Sequence, residues 1–259
     1  MADMTGKIAL VTGGASGMGR IVALRLAGRG AKVAIFDVNE AGLAETVSMG
    51  ENLSAYQCDI SSSEDVRAKV AQVEAELGPI DQLVHAAALM PARKLVNESV
   101  EEMERLFQIN YFGTVYMVKA VLPSMLERGA GRIIAFGSIA GQALVPNMGA
   151  YCATKSAVNT YMEVLQNEIR GSGVRAHLVC PPAVNTPLIA QTQGEDQPGS
   201  IQESQKSGRL ADPEKIIDAI DKGVAKDKDV IYPGEAWFLM LWHTLFPKLW
   251  WKTVLSFEK

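Results

Sequence analysis

Cysteine is scarce in this chain. Three thiols, Cys58, Cys152 and Cys180, stand far apart among 259 residues. An odd, dispersed set excludes a disulfide framework, and no Cys-x-x-Cys pair offers metal-ligand spacing, so no metal is expected. Reduced thiols point to a cytoplasmic protein. Positive charge is not in excess either: 25 basic residues face 29 acidic ones, a net charge of −4. That excludes the basic stripe of a nucleic-acid binder. The opening MADMTGK lacks a cationic segment with an apolar run behind it, so no signal peptide is expected. Internal repeats, low-complexity tracts and linker-like segments are also missing, which leaves one domain over residues 1–259.

What is present alternates. Apolar runs at 7–11, 32–38, 53–58, 80–88, 131–137, 174–180 and 230–232 read as buried strands. Between them, helical spacing predicts helices following Gly19 and over 40–49, 63–77, 99–127, 150–170 and 212–222. Strands alternating with helices imply an α/β fold, a doubly wound parallel sheet with helices on both faces. Residues 191–207 are polar and contain glycine and proline, and are expected to be a mobile loop.

The first strand runs into Thr12-Gly13-Gly14-Ala15-Ser16-Gly17-Met18-Gly19 and then a helix. Gly13, Gly17 and Gly19 permit a tight turn and let a pyrophosphate approach the helix N-terminus; a merely flexible loop is the alternative. Asp37 ends the second strand, about twenty residues on, where a carboxylate accepts from both ribose hydroxyls and repels a 2′-phosphate. NAD is therefore expected over NADP, unless Asp37 only caps the helix at 40–49. Asp59 ends the third strand, as an adenine contact or a turn residue.

Ser138, Tyr151 and Lys155 form a constellation within SIAGQALVPNMGAYCATK. Tyr151 and Lys155, four residues apart, share a helix face. An ammonium beside a phenol favours the phenolate. Lowering a tyrosine from about 10 toward neutrality takes roughly 4 kcal/mol, so a second positive charge is required. Tyr-x-x-x-Lys alone is common on ordinary helix surfaces, so the pair counts only with the rest.

Taken together and in order, Thr12-Gly13-x-x-x-Gly17-x-Gly19, Asp37, Asp59, Asn110, Ser138, Tyr151 and Lys155 resemble the short-chain dehydrogenase/reductase family over about residues 5–234. The resemblance implies a Rossmann-type fold. It makes Tyr151 the acid/base, Ser138 the holder of the substrate oxygen, Lys155 a ribose ligand that lowers the tyrosine pKa, and Asn110 a link in a proton relay. It adds Ser16, Met18, Ile60, Ala86 and Pro181 to the cofactor contacts, with Val184 and Thr186 at the carboxamide. It implies a homo-oligomer, a tetramer, with faces on the helices at 99–127 and 150–170. The cationic oxidised nicotinamide would be the second charge.

The implied activity is NAD-dependent interconversion of a secondary alcohol and a ketone. A lipophilic steroid-like or terpenoid substrate fits Met90, Leu144, Val145, Met148, Leu188 and Ile189 around the expected pocket. A dehydratase or epimerase of the same fold, or a non-catalytic NAD-binding regulator, are the rivals.

The chain departs from the family at His85-Ala86-Ala87-Ala88, where Asn-Asn-Ala-Gly or Asn-Ala-Ala-Gly is usual, and at Pro181-Pro182, where Pro-Gly is usual. His85 is either a packed structural residue or a switched acid/base, and Ala88 is expected to narrow the cofactor groove. The tail AWFLMLWHTLFPKLWW, 236–251, holds all four tryptophans and is too short and broken to span a bilayer. Packing on a partner subunit, walling the substrate site and lying on a membrane are its three readings, with membrane contact the least expected. Trp237, Phe238 and Leu241 are expected to cover residues 188–207.

Overall fold

The first apolar run forms β1 (Ile8–Thr12), with all five residues buried. In the computed structural model, which describes residues 3–258, it is followed by α1 (Gly17–Ala27), β2 (Lys32–Asp37), α2 (Glu40–Ser48), β3 (Leu53–Gln57), α3 (Ser63–Leu77) and β4 (Gln82–His85). The chain continues through α4 (Val100–Phe107), α5 (Gly113–Glu127), β5 (Gly131–Phe136), α6 (Gly149–Glu168), β6 (Val174–Val179), α7 (Gly199–Lys206), α8 (Pro213–Ala225), β7 (Val230–Ile231), α9 (Ala236–Leu245) and α10 (Pro247–Ser256). The ends of the 1–259 span lie outside the described residues.

All seven strands pair in parallel, in the order β3-β2-β1-β4-β5-β6-β7. This is a Rossmann-type doubly wound sheet. The strands are continuous apolar runs because helices cover both faces, and their residues alternate between two cores. Leu10, Phe36, Leu83, Ile133 and Leu178 face α3, α5 and α6. Val11, Ile35, Val84, Ile134 and Val179 face α1 and α8. Strand order reverses between β1 and β4, which opens a crevice beyond their carboxyl ends.

Several boundaries differ from expectation for definable reasons. The fourth strand, expected to reach Ala88, stops at His85. Beyond it, the amides of Ala86 and Ala87 donate to the Thr12 hydroxyl at 3.1 and 3.2 Å instead of joining a ladder. The long helix expected at 99–127 is interrupted by a π turn, Gln108–Phe112, which joins α4 to α5. The stretch 191–207, expected to be a loop, contains α7 and the end of a 3₁₀ turn, Pro187–Thr192. Its polar composition hides an anchor: Ile201 is buried, and the Glu258 carboxylate accepts from the Gly199 amide at 2.9 Å, where a negative charge suits a helix N-terminus. The tail folds as a hairpin of α9 and α10, with the break at Pro247.

Candidate functional site

At the carboxyl end of β1 the chain turns with Gly13 at φ +70° and Gly17 at φ +53°. A side chain on Gly13 would lie 3.0 Å from the Ala87 amide nitrogen, and one on Gly19 would lie 2.2 Å from the Gly13 carbonyl oxygen. Only glycine fits both positions. Ser16 precedes α1 in extended conformation, and its side chain makes no capping bond, so the first amides of α1 have no side-chain acceptor from the chain itself. Met18 and Thr186 line a cavity beside this turn, and Thr186 packs next to Gly17.

Asp37 lies on the same rim. Its two carboxylate oxygens accept from the amides of Ala15 at 3.2 Å and Asn39 at 3.0 Å. The cap of α2 is Asn39, which accepts from Gly42, so Asp37 is not the capping residue. Asp59 serves a turn: one carboxylate oxygen accepts from the amide and hydroxyl of Ser61 at 2.9 and 2.6 Å. Ile60 is buried in the core on the α5 side of the sheet.

Ser138 leaves the end of β5 and caps a short 3₁₀ turn, its Oγ accepting from the Ala140 amide at 3.0 Å. The same hydroxyl hydrogen-bonds to the Tyr151 phenol. Tyr151 and Lys155 occupy the first turns of α6, both buried. Lys155 Nζ stands 5.9 Å from the centre of the Tyr151 ring and donates to the Phe136 carbonyl at 2.9 Å. Burial pushes the lysine down to about 8. Burial raises the tyrosine well above its ordinary value, and the Ser138 hydroxyl draws it only partly back. The expectation that an ammonium beside the phenol starts to lower it is thus overridden by desolvation, and the chain's own groups keep Tyr151 protonated at neutral pH.

The π turn places Asn110 beneath this pair, almost wholly buried. Its amide accepts from Leu89 N at 2.8 Å and donates to Leu89 O at 2.9 Å and to Thr154 Oγ1 at 3.1 Å. Thr154 in turn donates to the Tyr151 carbonyl at 2.8 Å. The side chain of Asn110 therefore ties the segment after β4 to the first turns of α6.

His85 is tied to Thr12, with Nδ1 2.8 Å from the hydroxyl oxygen. That oxygen already accepts from two amides, so its hydrogen goes to Nδ1 and the imidazole proton sits on Nε2. Burial, with the Lys155 charge adding to it, pushes His85 down to about 3. It is a neutral, packed histidine that stitches β4 to β1.

Tyr151, Ser138 and Lys155 form the polar end of a cavity of about 270 Å³. Of the expected lining residues, Met90, Val145, Met148, Leu188 and Ile189 are there, together with Ala86, Ala88, Pro181, Pro182 and Val184. Leu144 is not; its carbonyl accepts from Trp250 Nε1 at 2.8 Å. The far wall comes from the tail through Leu239, Trp242, Trp250, Val254 and Phe257. The tail residues expected in that role differ: Trp237 and Phe238 point outward and are exposed, and Leu241 does not line the cavity. Among the described residues no cluster of His, Cys, Asp and Glu could hold a metal ion.

Residues 7–197 match the model of the short chain dehydrogenase family. The human Estradiol 17-beta-dehydrogenase 11 is 28% identical over 95% of this chain and 81% of its own length. The crystal structure of a short chain dehydrogenase/reductase from Burkholderia phymatum in complex with NAD superposes with a TM-score of 0.85 at 26% identity, over 96% of this chain and 97% of that one. A variant of the actinorhodin polyketide ketoreductase with NADPH does so with a TM-score of 0.80 at 28% identity, over 91% and 99%. With the glycine turn, Ser138, Tyr151 and Lys155 gathered at one rim of a Rossmann-type sheet, the chain belongs to the short-chain dehydrogenase/reductase family of oxidoreductases.

Proposed function

We propose that this protein is an NAD-dependent oxidoreductase that interconverts a lipophilic secondary alcohol and its ketone, with oxidation the working direction. The observation that carries the reading is the cavity itself, where Ser138, Tyr151 and Lys155 meet walls that are mostly aliphatic and aromatic, with Thr186, Ser200, Ser204, Glu235 and Thr253 the other polar side chains of the lining. A steroid-like or terpenoid alcohol would bury its skeleton and present one oxygen to the polar end.

The residues present fit a nicotinamide dinucleotide. The glycine turn, which a Cβ at Gly13 or Gly19 would fill, and the side-chain-free start of α1 suit a pyrophosphate. Gly13, Ser16, Gly17, Met18 and Gly19 would hold the phosphates, Asp37 the adenine ribose, and Asp59 and Ile60 the adenine edge. Ala86, Tyr151 and Lys155 would meet the nicotinamide ribose, with Pro181, Val184 and Thr186 at the carboxamide. When bound, the dinucleotide supplies the hydride acceptor or donor. The carboxylate of Asp37 favours NAD, because it would repel a 2′-phosphate.

Tyr151 moves the proton. In oxidation its oxygen takes the hydroxyl proton of the alcohol, and in reduction it returns one to the carbonyl oxygen. Ser138, whose hydroxyl meets the Tyr151 phenol, would turn its hydrogen to the same substrate oxygen and orient it. Lys155, cationic below a pH of about 8, favours the phenolate at the moment the proton leaves. Asn110 extends the relay through main-chain groups around it, since its amide is occupied. We further propose a cytoplasmic homotetramer with α4, α5 and α6 as contact faces.

Nicotinamide absorbance, followed with steroid and terpenoid secondary alcohols plus NAD or NADP, tests the reading. NAD-dependent turnover that falls at least about a hundredfold in Tyr151→Phe is expected. An enzyme that binds NAD yet oxidises no alcohol and reduces no ketone in such a panel would refute it.

A further inference from the structure

The α9–α10 hairpin has two faces, and the cavity accounts for only one. Leu239, Trp242, Trp250 and Val254 turn inward onto the cavity and its neighbours Ile139 and Ala143. The other face is bare: Trp237 is 56% exposed, Phe238 58%, Phe246 56% and Leu249 51%, with Leu245 and Leu255 alike. Large apolar side chains in that number, gathered on one hairpin, are more than a protein surface carries without a partner.

Charge on the hairpin selects among partners. Between Glu235, at the N-cap position of α9, and Glu258, which is bonded to Gly199 and Asn147, the hairpin has no aspartate or glutamate, whereas Lys248 and Lys252 are both present and exposed. Lys94, which lines the groove that Trp251 shares with Leu95 and Val96, is paired with Asp196 at 3.9 Å, so the positive charge rests on Lys248 and Lys252. In a chain of net charge −4 this is a local reversal of sign. A second copy docked face to face would set Lys248 and Lys252 of α10 against their own counterparts, with Glu235, at the far end of α9, the one exposed carboxylate of the hairpin. Anionic lipid headgroups answer both features, taking the lysines at the surface and the aromatic rings just below it. Each helix has 10 residues and no described helix is long and apolar enough to cross a bilayer, so the hairpin would lie in the interface plane.

We propose that the outer face of the α9–α10 hairpin docks the protein on an anionic lipid surface. Phe257 lines the cavity and is also 41% exposed, so the cavity wall and the docking face share a residue. If the cavity takes a lipophilic alcohol, as proposed above, that substrate can enter from the lipid side. The docking itself does not depend on that reading.

All four tryptophans, Trp237, Trp242, Trp250 and Trp251, lie in the hairpin, so intrinsic emission reports on it alone. The test mixes the full chain with vesicles of phosphatidylcholine, or of phosphatidylcholine plus phosphatidylglycerol, and reads co-sedimentation and emission wavelength. Binding to the anionic vesicles with a blue shift is expected. A double variant, Lys248→Glu with Lys252→Glu, should weaken it at least about tenfold. A second variant, Phe238→Ser with Phe246→Ser and Leu249→Ser, changes only exposed residues and should abolish it. Both should keep the wild-type circular dichroism and turn over a water-soluble alcohol at the wild-type rate. No binding to either vesicle, binding that the variants leave unchanged, or variants that lose only an oligomeric state in light scattering would each overturn the proposal. A wild-type chain that turns over alcohol but binds neither vesicle refutes docking alone, whereas vesicle binding by a wild-type chain with no turnover refutes only the proposed activity.

Discussion

Lys155 Nζ donates to the main-chain carbonyl of Phe136 at 2.9 Å, with the lysine almost wholly buried. The bond fixes the ammonium beneath Tyr151 but does not repay its desolvation, and the lysine is pushed down to about 8 from 10.5. Its charged form is disfavoured in the folded state, so between about pH 8 and 10.5 the unfolded chain binds more protons and stability rises with pH. Lys155→Met should therefore be more stable than wild type at pH 7, by roughly 1–3 kcal/mol once the lost hydrogen bond is counted, and inactive. The stability difference should shrink as pH rises through that window. Urea unfolding at pH 7 and pH 10 checks it; a variant less stable than wild type at both would contradict the argument.

The acid side of the profile belongs to the histidines. His85 is pushed down to about 3, so between pH 6.5 and 3 the unfolded chain again binds more protons, and stability is lost as pH falls through that range. His177, also buried, is shifted the same way. His85→Asn should flatten the acid limb, retaining more of its pH 7 stability at pH 5 than wild type does. Parallel limbs in thermal melts at the two pH values would mean the imidazole is not the cause.

Cofactor choice is expected to turn on one carboxylate. Asp37 is half-buried at the end of β2, and the next residue, Val38, is 61% exposed with room for a longer side chain. Wild type should prefer NAD by at least about tenfold, roughly 1.4 kcal/mol. Asp37→Ala with Val38→Arg should move the preference toward NADP. The check is the ratio of kcat/KM for the two dinucleotides, and equal values in wild type would count against the assignment.

Substrate size should be read by the tail. Trp242 lines the cavity and packs edge-on against Trp250, with ring centres 5.4 Å apart. Trp242→Ala removes apolar wall without touching the glycine turn. KM for a bulky apolar alcohol should rise several-fold, each buried large side chain being worth about 1.5–3 kcal/mol, while KM for a small alcohol and for NAD stays put. Equal changes for both alcohols would make the tail a scaffold element only.

Most of the fold was legible because a parallel sheet writes its strands as unbroken apolar runs, and β1, β2, β5 and β6 fall where IALVT, KVAIFD, GRIIAF and VRAHLV stand. The Tyr151–Lys155 spacing was legible because one helical turn is a local property. What depended on distant partners was not. Nothing near Asn110 announces a π turn, and its bonding partners lie 21 and 44 residues away. α7 was hidden by polar residues whose anchor, Glu258, is 59 positions off. In the tail nearly every side chain is apolar, so no periodicity told the inward Trp242 and Trp250 from the outward Trp237 and Phe238.

The Thr12–His85 contact also bears on how the chain assembles. It spans 73 residues and closes the β1–β4 ladder, four register pairs from Ala9–Gln82 to Thr12–His85. Strands β1 to β3 can associate within the first third of the chain, and β4 to β7 within the rest, but this ladder is where the two groups become one sheet. Non-local parallel pairing is slow to form. The seam also runs directly under the glycine turn, with the amides of Ala86 and Ala87 held by the Thr12 hydroxyl. Hydrogen exchange at those two amides would time the joining of the halves, and a ligand lodged across the seam would act as a clasp between them.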